Sequence, residues 1–208
     1  MLTEINKACI ANKKLIVNAI GFQLVWFICV QGHNLYAAFA AIALLSLYQL
    51  IFNTQSKTWK ALIAFSLVGY LGDGIIAMML NLNYLGSFNI NTNANDSFNE
   101  SFNESFNENI NILAPLWLLS LWLAFATTLN HSMRWLFKTP YLTVFIALFF
   151  VPISYFAGIK LSGSTFVLSS SSIPYWTFFI AEGVWWAILL MGYQKLTTSQ
   201  KTTGMTHA

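Results

Sequence analysis

A chain of 208 residues with 57% apolar and only 8% charged side chains cannot clothe a water-facing surface, since soluble domains carry about 25% charged residues. Its mean hydropathy of +0.60 indicates a membrane protein whose apolar exterior is completed by lipid, and its length allows one bundle without an appended soluble domain. The net charge of +3 decides little by its size; two cysteines, Cys9 and Cys29, make no disulfide framework, and no water-facing basic patch with interleaved aromatics supports a nucleic-acid partner.

Six apolar runs lie near the roughly 20 residues a spanning helix needs, at about 15–32, 35–52, 60–80, 113–133, 141–158 and 174–193. They are continuously apolar, without the alternation of barrel strands. The expected fold is therefore all-α: a single domain over 1–208, a polytopic bundle of six transmembrane helices. The first run follows Lys7, Lys13 and Lys14 as a signal peptide would. It is long for a cleaved segment, and cutting near Ala40 would destroy the second run, so it reads as a retained span. The short turn at His33-Asn34 predicts an antiparallel helical hairpin, with Cys29 as small packing filler.

The third run carries Asp73 inside GYLGDG. Gly69, Gly72 and Gly74 permit close helix approach, and the cluster lacks the lysine and strand-to-helix context of a phosphate loop. Residues 81–112 contain SFNESFNESFNEN, whose composition predicts a flexible, acidic, low-complexity loop. The fourth run and its exit read APLWLLSLWLAFATTLNHSMRWLF. Pro115 suits a helix start, Trp122 and Phe125 share a side, Thr127 and Thr128 can bond back into the helix or across it, and His131 is a candidate proton donor at the inner end. The sixth run carries Glu182, and 197–208 form a tail.

Basic residues set the expected direction. With the N-terminus cytoplasmic, inner segments hold Lys7, Lys13, Lys14, Lys57, Lys60, Arg134, Lys138, Lys195 and Lys201, and outer segments hold only Lys160. Nine against one is a strong positive-inside bias, and an even number of spans returns the C-terminus to the cytoplasm. Trp59, Trp117, Trp135, Tyr141, Tyr175, Trp176 and Tyr193 cluster near span ends, as interfacial aromatic belts do.

At a rise of about 1.5 Å per residue, Asp73, Glu182 and Gln23 fall about 10, 12 and 14 Å below the outer face. An ionisable group at that depth is costly and is neutralised, paired or turned to an internal cavity. Two readings follow: a polar cavity lined by Asp73, Glu182 and Gln23, or a seam in which each group fastens a neighbouring helix. Asn18, about one turn from Gln23, reads as packing glue. The stem of Lys160 can snorkel inward from the same side. Catalytic candidates are Asp73, Glu182 and His131. The three histidines lie apart and no HExxH occurs, which argues against a metal site. GxSxG and Walker motifs are absent too, and no cofactor is implied.

The segments NAIGFQLVWFICVQG, GYLGDGIIAMML, APLWLLSLWLAFATTLNHSMRWL and PISYFAGIKLSG resemble, in this order, a bacterial family of small inner-membrane proteins grouped as domain of unknown function number 2878. The resemblance covers nearly the whole chain, and its pattern falls on Asn18, Gln23, Trp26, Asp73, Pro115, Trp117, Trp122, Phe125, His131, Pro152, Tyr155 and Gly158. It adds Asn18, Trp122 and Tyr155 to the candidate polar cavity. The match around Glu182 is loose, Lys160 stands where a less polar residue or arginine is expected, and the SFNE insertion is peculiar to this chain. The family has no established activity, and its members resemble components of gene groups that include fatty-acid cyclopropanation enzymes and stress regulators. The resemblance thus implies a bacterial inner-membrane, multi-pass protein serving as an accessory or binding protein in lipid or fatty-acyl metabolism or stress response. The implied partners are membrane lipids, a membrane or cytoplasmic lipid-modifying enzyme, and a second copy of the chain. Two other readings stand beside it: a small proton-coupled carrier using Asp73, and an intramembrane enzyme with Asp73 and Glu182 as an acid/base pair.

Overall fold

A computed structural model describes residues 2–31, 34–80, 82–84, 114–166, 174 and 176–205. Among these residues there are six α-helices: α1 (Leu2–Val30), α2 (Asn34–Phe52), α3 (Ser56–Met79), α4 (Leu116–Leu129), α5 (Pro140–Ser162) and α6 (Trp176–Met205). Five are long and apolar enough to cross a membrane: α2, α3, α5, and the segments Cys9–Val30 of α1 and Trp176–Leu196 of α6. The SFNE repeat and the end of the C-terminal tail lie outside the described residues.

The fourth helix corrects the expectation of six full spans. It has 14 residues instead of the 21 of run 113–133, a length of about 21 Å against a hydrocarbon core of about 30 Å. Pro115 stands outside the helix as its N-cap, with φ −67° and ψ 155°. At the other end Asn130, His131, Ser132 and Met133 form a turn that leads into a 3₁₀ segment, Arg134–Lys138. Polar side chains that bond to neighbouring helices end α4 there. What α4 lacks in length it has in burial: Trp117, Leu118, Trp122, Ala124 and Leu129 are all buried, and it packs on α1, α2 and α3. It is the pillar of the bundle.

The two ends of the bundle are fastened differently. At the end nearest Lys14, the Lys14 Nζ donates to the Ile51 carbonyl at 3.0 Å. Asn18 there donates to Thr127 Oγ1 at 3.2 Å and accepts from Ser132 Oγ at 2.8 Å, and Tyr193 donates to Asn130 Oδ1 at 2.8 Å. At the opposite end Asn34 Oδ1 accepts from the Trp117 backbone N–H at 3.0 Å. A short antiparallel pairing there joins β1 (Leu82–Asn83) to β2 (Thr165–Phe166), with Leu82 opposite Phe166. The first residues of segment 81–112 are thus built into the bundle, and Tyr84 is buried. Of the aromatic residues expected in interfacial belts, Trp135, Tyr141 and Trp176 are exposed, whereas Trp117 and Tyr193 belong to the core; Tyr175 lies outside the described residues.

Glycines set how closely the helices approach. A Cβ on Gly69 would lie 2.4 Å from the Trp122 ring, and one on Gly72 would lie 2.2 Å from the Trp185 ring, so α3 accepts a tryptophan from α4 and another from α6. In α5, Pro152 removes a backbone donor from the helix interior, and Gly183 of α6 packs against it: a Cβ there would come within 3.2 Å of Pro152 Cγ. By contrast, nothing lies within 4 Å of a Cβ on Gly192. Gly69→Val and Gly72→Val are therefore expected to lose about 1–3 kcal/mol each through overpacking. Gly192→Ala, by removing a flexible residue from a helix, is expected to be neutral or to gain up to about 1 kcal/mol. Thermal unfolding of the detergent-solubilised protein distinguishes the three variants.

Candidate functional site

Asp73 and Glu182 are both fully buried, at 0% exposure, and α3 and α6 bring their carboxyl groups into side-chain contact. Their surroundings differ. Asp73 Oδ2 accepts from Trp122 Nε1 at 2.8 Å and from the Tyr155 hydroxyl at short range. Tyr155 in turn accepts from Trp186 Nε1 at 3.1 Å. One carboxylate oxygen thereby joins α3, α4 and α5, and through Trp186 it also joins α6. The Trp122 and Trp186 indoles stack, with centroids 4.3 Å apart and planes inclined by 23°, and Phe125 meets Trp186 edge-on at 4.8 Å. Among the described residues no donor reaches Asp73 Oδ1 or either oxygen of Glu182. The Tyr84 hydroxyl and Trp185 Nε1 are buried and unbonded as well. Tyr84 lies near both carboxyls, and Trp185 lies against Gly72, the residue before Asp73.

Beside this cluster lies a cavity of about 420 Å³. Its walls come from α1 (Phe22, Gln23, Trp26), α4 (Trp122, Phe125) and α5 (Phe150, Tyr155). α5 packs chiefly on α6 and touches α1 only slightly. The two walls close at Gly158, where an added Cβ would lie 3.5 Å from Val30 Cγ1. Elsewhere they stand apart, and α4 forms the floor. The lining is overwhelmingly aromatic and aliphatic; its few polar residues include Gln23, Ser154 and Ser162.

The sequence candidates therefore separate. Gln23, Trp122 and Tyr155 line the cavity; Asp73, Glu182 and Asn18 do not. The expected polar cavity is instead an apolar one, with the carboxyl pair behind its wall and Tyr155 between them. Asn18 belongs to the seam between α1 and the end of α4. Lys160 is exposed at the end of α5, with its ammonium 5.9 Å from the Phe156 ring centroid. His131 stacks on Phe52, at 3.6 Å between centroids, and its Nε2 lies 3.1 Å from the Tyr48 hydroxyl. These are the surroundings of a packed ring, and neither carboxyl of the pair is among its partners.

Three members of the cluster escaped the sequence reading. Trp185 and Trp186 stand three and four residues after Glu182, which is same-face spacing on a helix and was a usable signal. Tyr84 stands in a polar-looking segment and gave none.

Trp122→Phe keeps an aromatic ring but removes one of the two donors to Asp73 Oδ2, and is expected to lower stability by about 1.5–3 kcal/mol, the contribution of a hydrogen bond to a charged acceptor.

Comparison with known proteins adds one assignment. No curated protein and no solved structure matches the chain. The family model described as "Protein of unknown function (DUF2878)" matches residues 15–192, which takes in all six helix cores and every residue of the carboxyl cluster. The chain is a helical, membrane-spanning protein that belongs to the DUF2878 family.

Proposed function

We propose that this is a bacterial inner-membrane protein that takes a lipid acyl chain into the cavity between α1 and α5, as an accessory binding protein in lipid or fatty-acyl metabolism. The observation that carries the reading is the cavity itself. Its volume of about 420 Å³ falls within the roughly 300–1,000 Å³ of small-molecule sites. Its walls are apolar and aromatic, and it lies between two helices whose outer faces carry exposed Ile20, Leu24, Phe149 and Ile153. A chain already dissolved in the bilayer can enter such a cleft sideways without crossing water. Gln23 and Ser154, which line it too, offer a polar end to the ligand. An acid/base enzyme is supported less well, because the carboxyls do not line the cavity.

In this reading the chain crosses the membrane six times with both ends cytoplasmic. α4, with its flanking turn and 3₁₀ segment, makes the short central crossing. The nine-to-one distribution of basic residues supports that direction. Alternation of the helices supports it as well, since Lys14 meets the end of α2 while Asn34 meets the start of α4.

Acyl occupancy is tested with a photoreactive fatty-acid analogue in vesicles containing the protein. Labelling is expected at residues lining the cavity, and Ala157→Phe, which fills it, is expected to reduce labelling at least tenfold. Equal labelling of wild type and variant would remove the binding reading. Reporter fusions test the direction: a fusion after Lys57 should report cytoplasm, and one within 95–108 should report the outside.

A further inference from the structure

The hydrogen-bond pattern around the carboxyl pair is lopsided. Asp73 Oδ2 collects two donors, Trp122 Nε1–H and Tyr155 O–H. Glu182 collects none on either oxygen, and the facing Asp73 Oδ1 also lacks a donor. Among the described residues no cation pairs with either group. Two adjacent carboxylates in that environment are untenable, since like charges at contact in a water-poor medium repel strongly.

We propose that Asp73 and Glu182 form a one-proton site, in which Glu182 is the neutral acid and donates to Asp73 Oδ1. One added proton accounts for the unpartnered oxygens that the two carboxyls turn to each other. The Glu182 hydroxyl gains an acceptor, and Asp73 Oδ1 gains a donor. The single negative charge rests on Asp73, where both fixed donors point.

A proton fits this site better than a metal cation. Indole N–H groups surround it, and the helical backbone carbonyls nearby are already bonded; a hard cation takes about six oxygen ligands. The titratable groups that face the pair are Tyr155 from α5 and Tyr84 from the segment after α3. Tyr70, on Asp73's own helix, donates instead to the Ala114 carbonyl, and the neighbours from α4 and α6, Trp122 and Trp185, do not titrate. Tyr155 is the contact between the proton site and the cavity, because its hydroxyl bonds Asp73 while its ring lines the cavity wall. The proton assignment does not depend on what the cavity binds.

Infrared spectroscopy of the full-length protein in lipid nanodiscs tests it at neutral pH. The expected result is a carbonyl stretch of one protonated carboxylic acid that shifts when glutamate carboxyls carry carbon-13 and stays put when aspartate carboxyls do. The chain has five other acidic residues, and the Glu182→Gln variant separates their contribution from that of the pair. Glu182→Gln should abolish the band and leave the unfolding temperature within about 4 °C of wild type, since about 1 kcal/mol corresponds to roughly 2–4 °C at this size and the amide can donate to Asp73 as the acid does. Absence of the band in wild type, or a shift with labelled aspartate instead of glutamate, overturns the assignment. The labelling arm needs no variant, so it stands even if Glu182→Gln fails to fold.

Discussion

Two carboxyl groups buried among apolar helices, with no cation paired to them among the described residues, constrain this structure more than any other feature. At the low dielectric of a bundle interior every polar atom must find its partner inside the protein. Asp73 finds two, and each comes from a different helix. To deliver them, α4 must press Trp122 onto Gly69 and α5 must turn Tyr155 inward, while α6 stacks Trp186 on Trp122 and holds Tyr155. The packing of four helices thus converges on the satisfaction of one oxygen. Hydrogen bonds between membrane helices are each modest, in the range of about 0.6–2 kcal/mol. What they add here is specificity: helices that are apolar all round have many ways to pack, and a buried acceptor with fixed donors selects one.

The cavity follows from the same arrangement. α5 is held to α6 by the Pro152–Gly183 contact and the Tyr155–Trp186 bond. It is therefore held away from α1 along most of its length, and the gap is lined by whatever α1, α4 and α5 present to it. That explains why an apolar cleft and a buried polar cluster are neighbours without being the same site. Tyr155 belongs to both.

The presence and rough place of five spanning helices were legible from hydropathy, because crossing lipid requires continuous apolar sequence. The two acids were legible for the complementary reason, as charges out of place. The short α4 was not: run 113–133 is apolar enough to span, but Pro115 and the Asn130–His131–Ser132 turn cut the helix at both ends. Which residues face one another was mostly hidden. A helix apolar on every side has no polar face to orient it, so Trp122, Tyr155 and Trp186 looked much like their lipid-facing neighbours. Depth placed Gln23 level with Asp73, yet rotation about the helix axis put Gln23 on the cavity wall and Asp73 behind it. Asn18, on the same helix, faced another neighbour again.

The central claim is that Asp73 Oδ2 is the node through which α3 and α5 are coupled. A double-mutant cycle of Asp73→Asn with Tyr155→Phe, measured by unfolding in detergent micelles, tests it most directly. A shared hydrogen bond predicts an interaction energy of about 0.5–3 kcal/mol between the two sites. Additivity of the two substitutions within about 0.3–0.5 kcal/mol, the behaviour of independent positions, would contradict it.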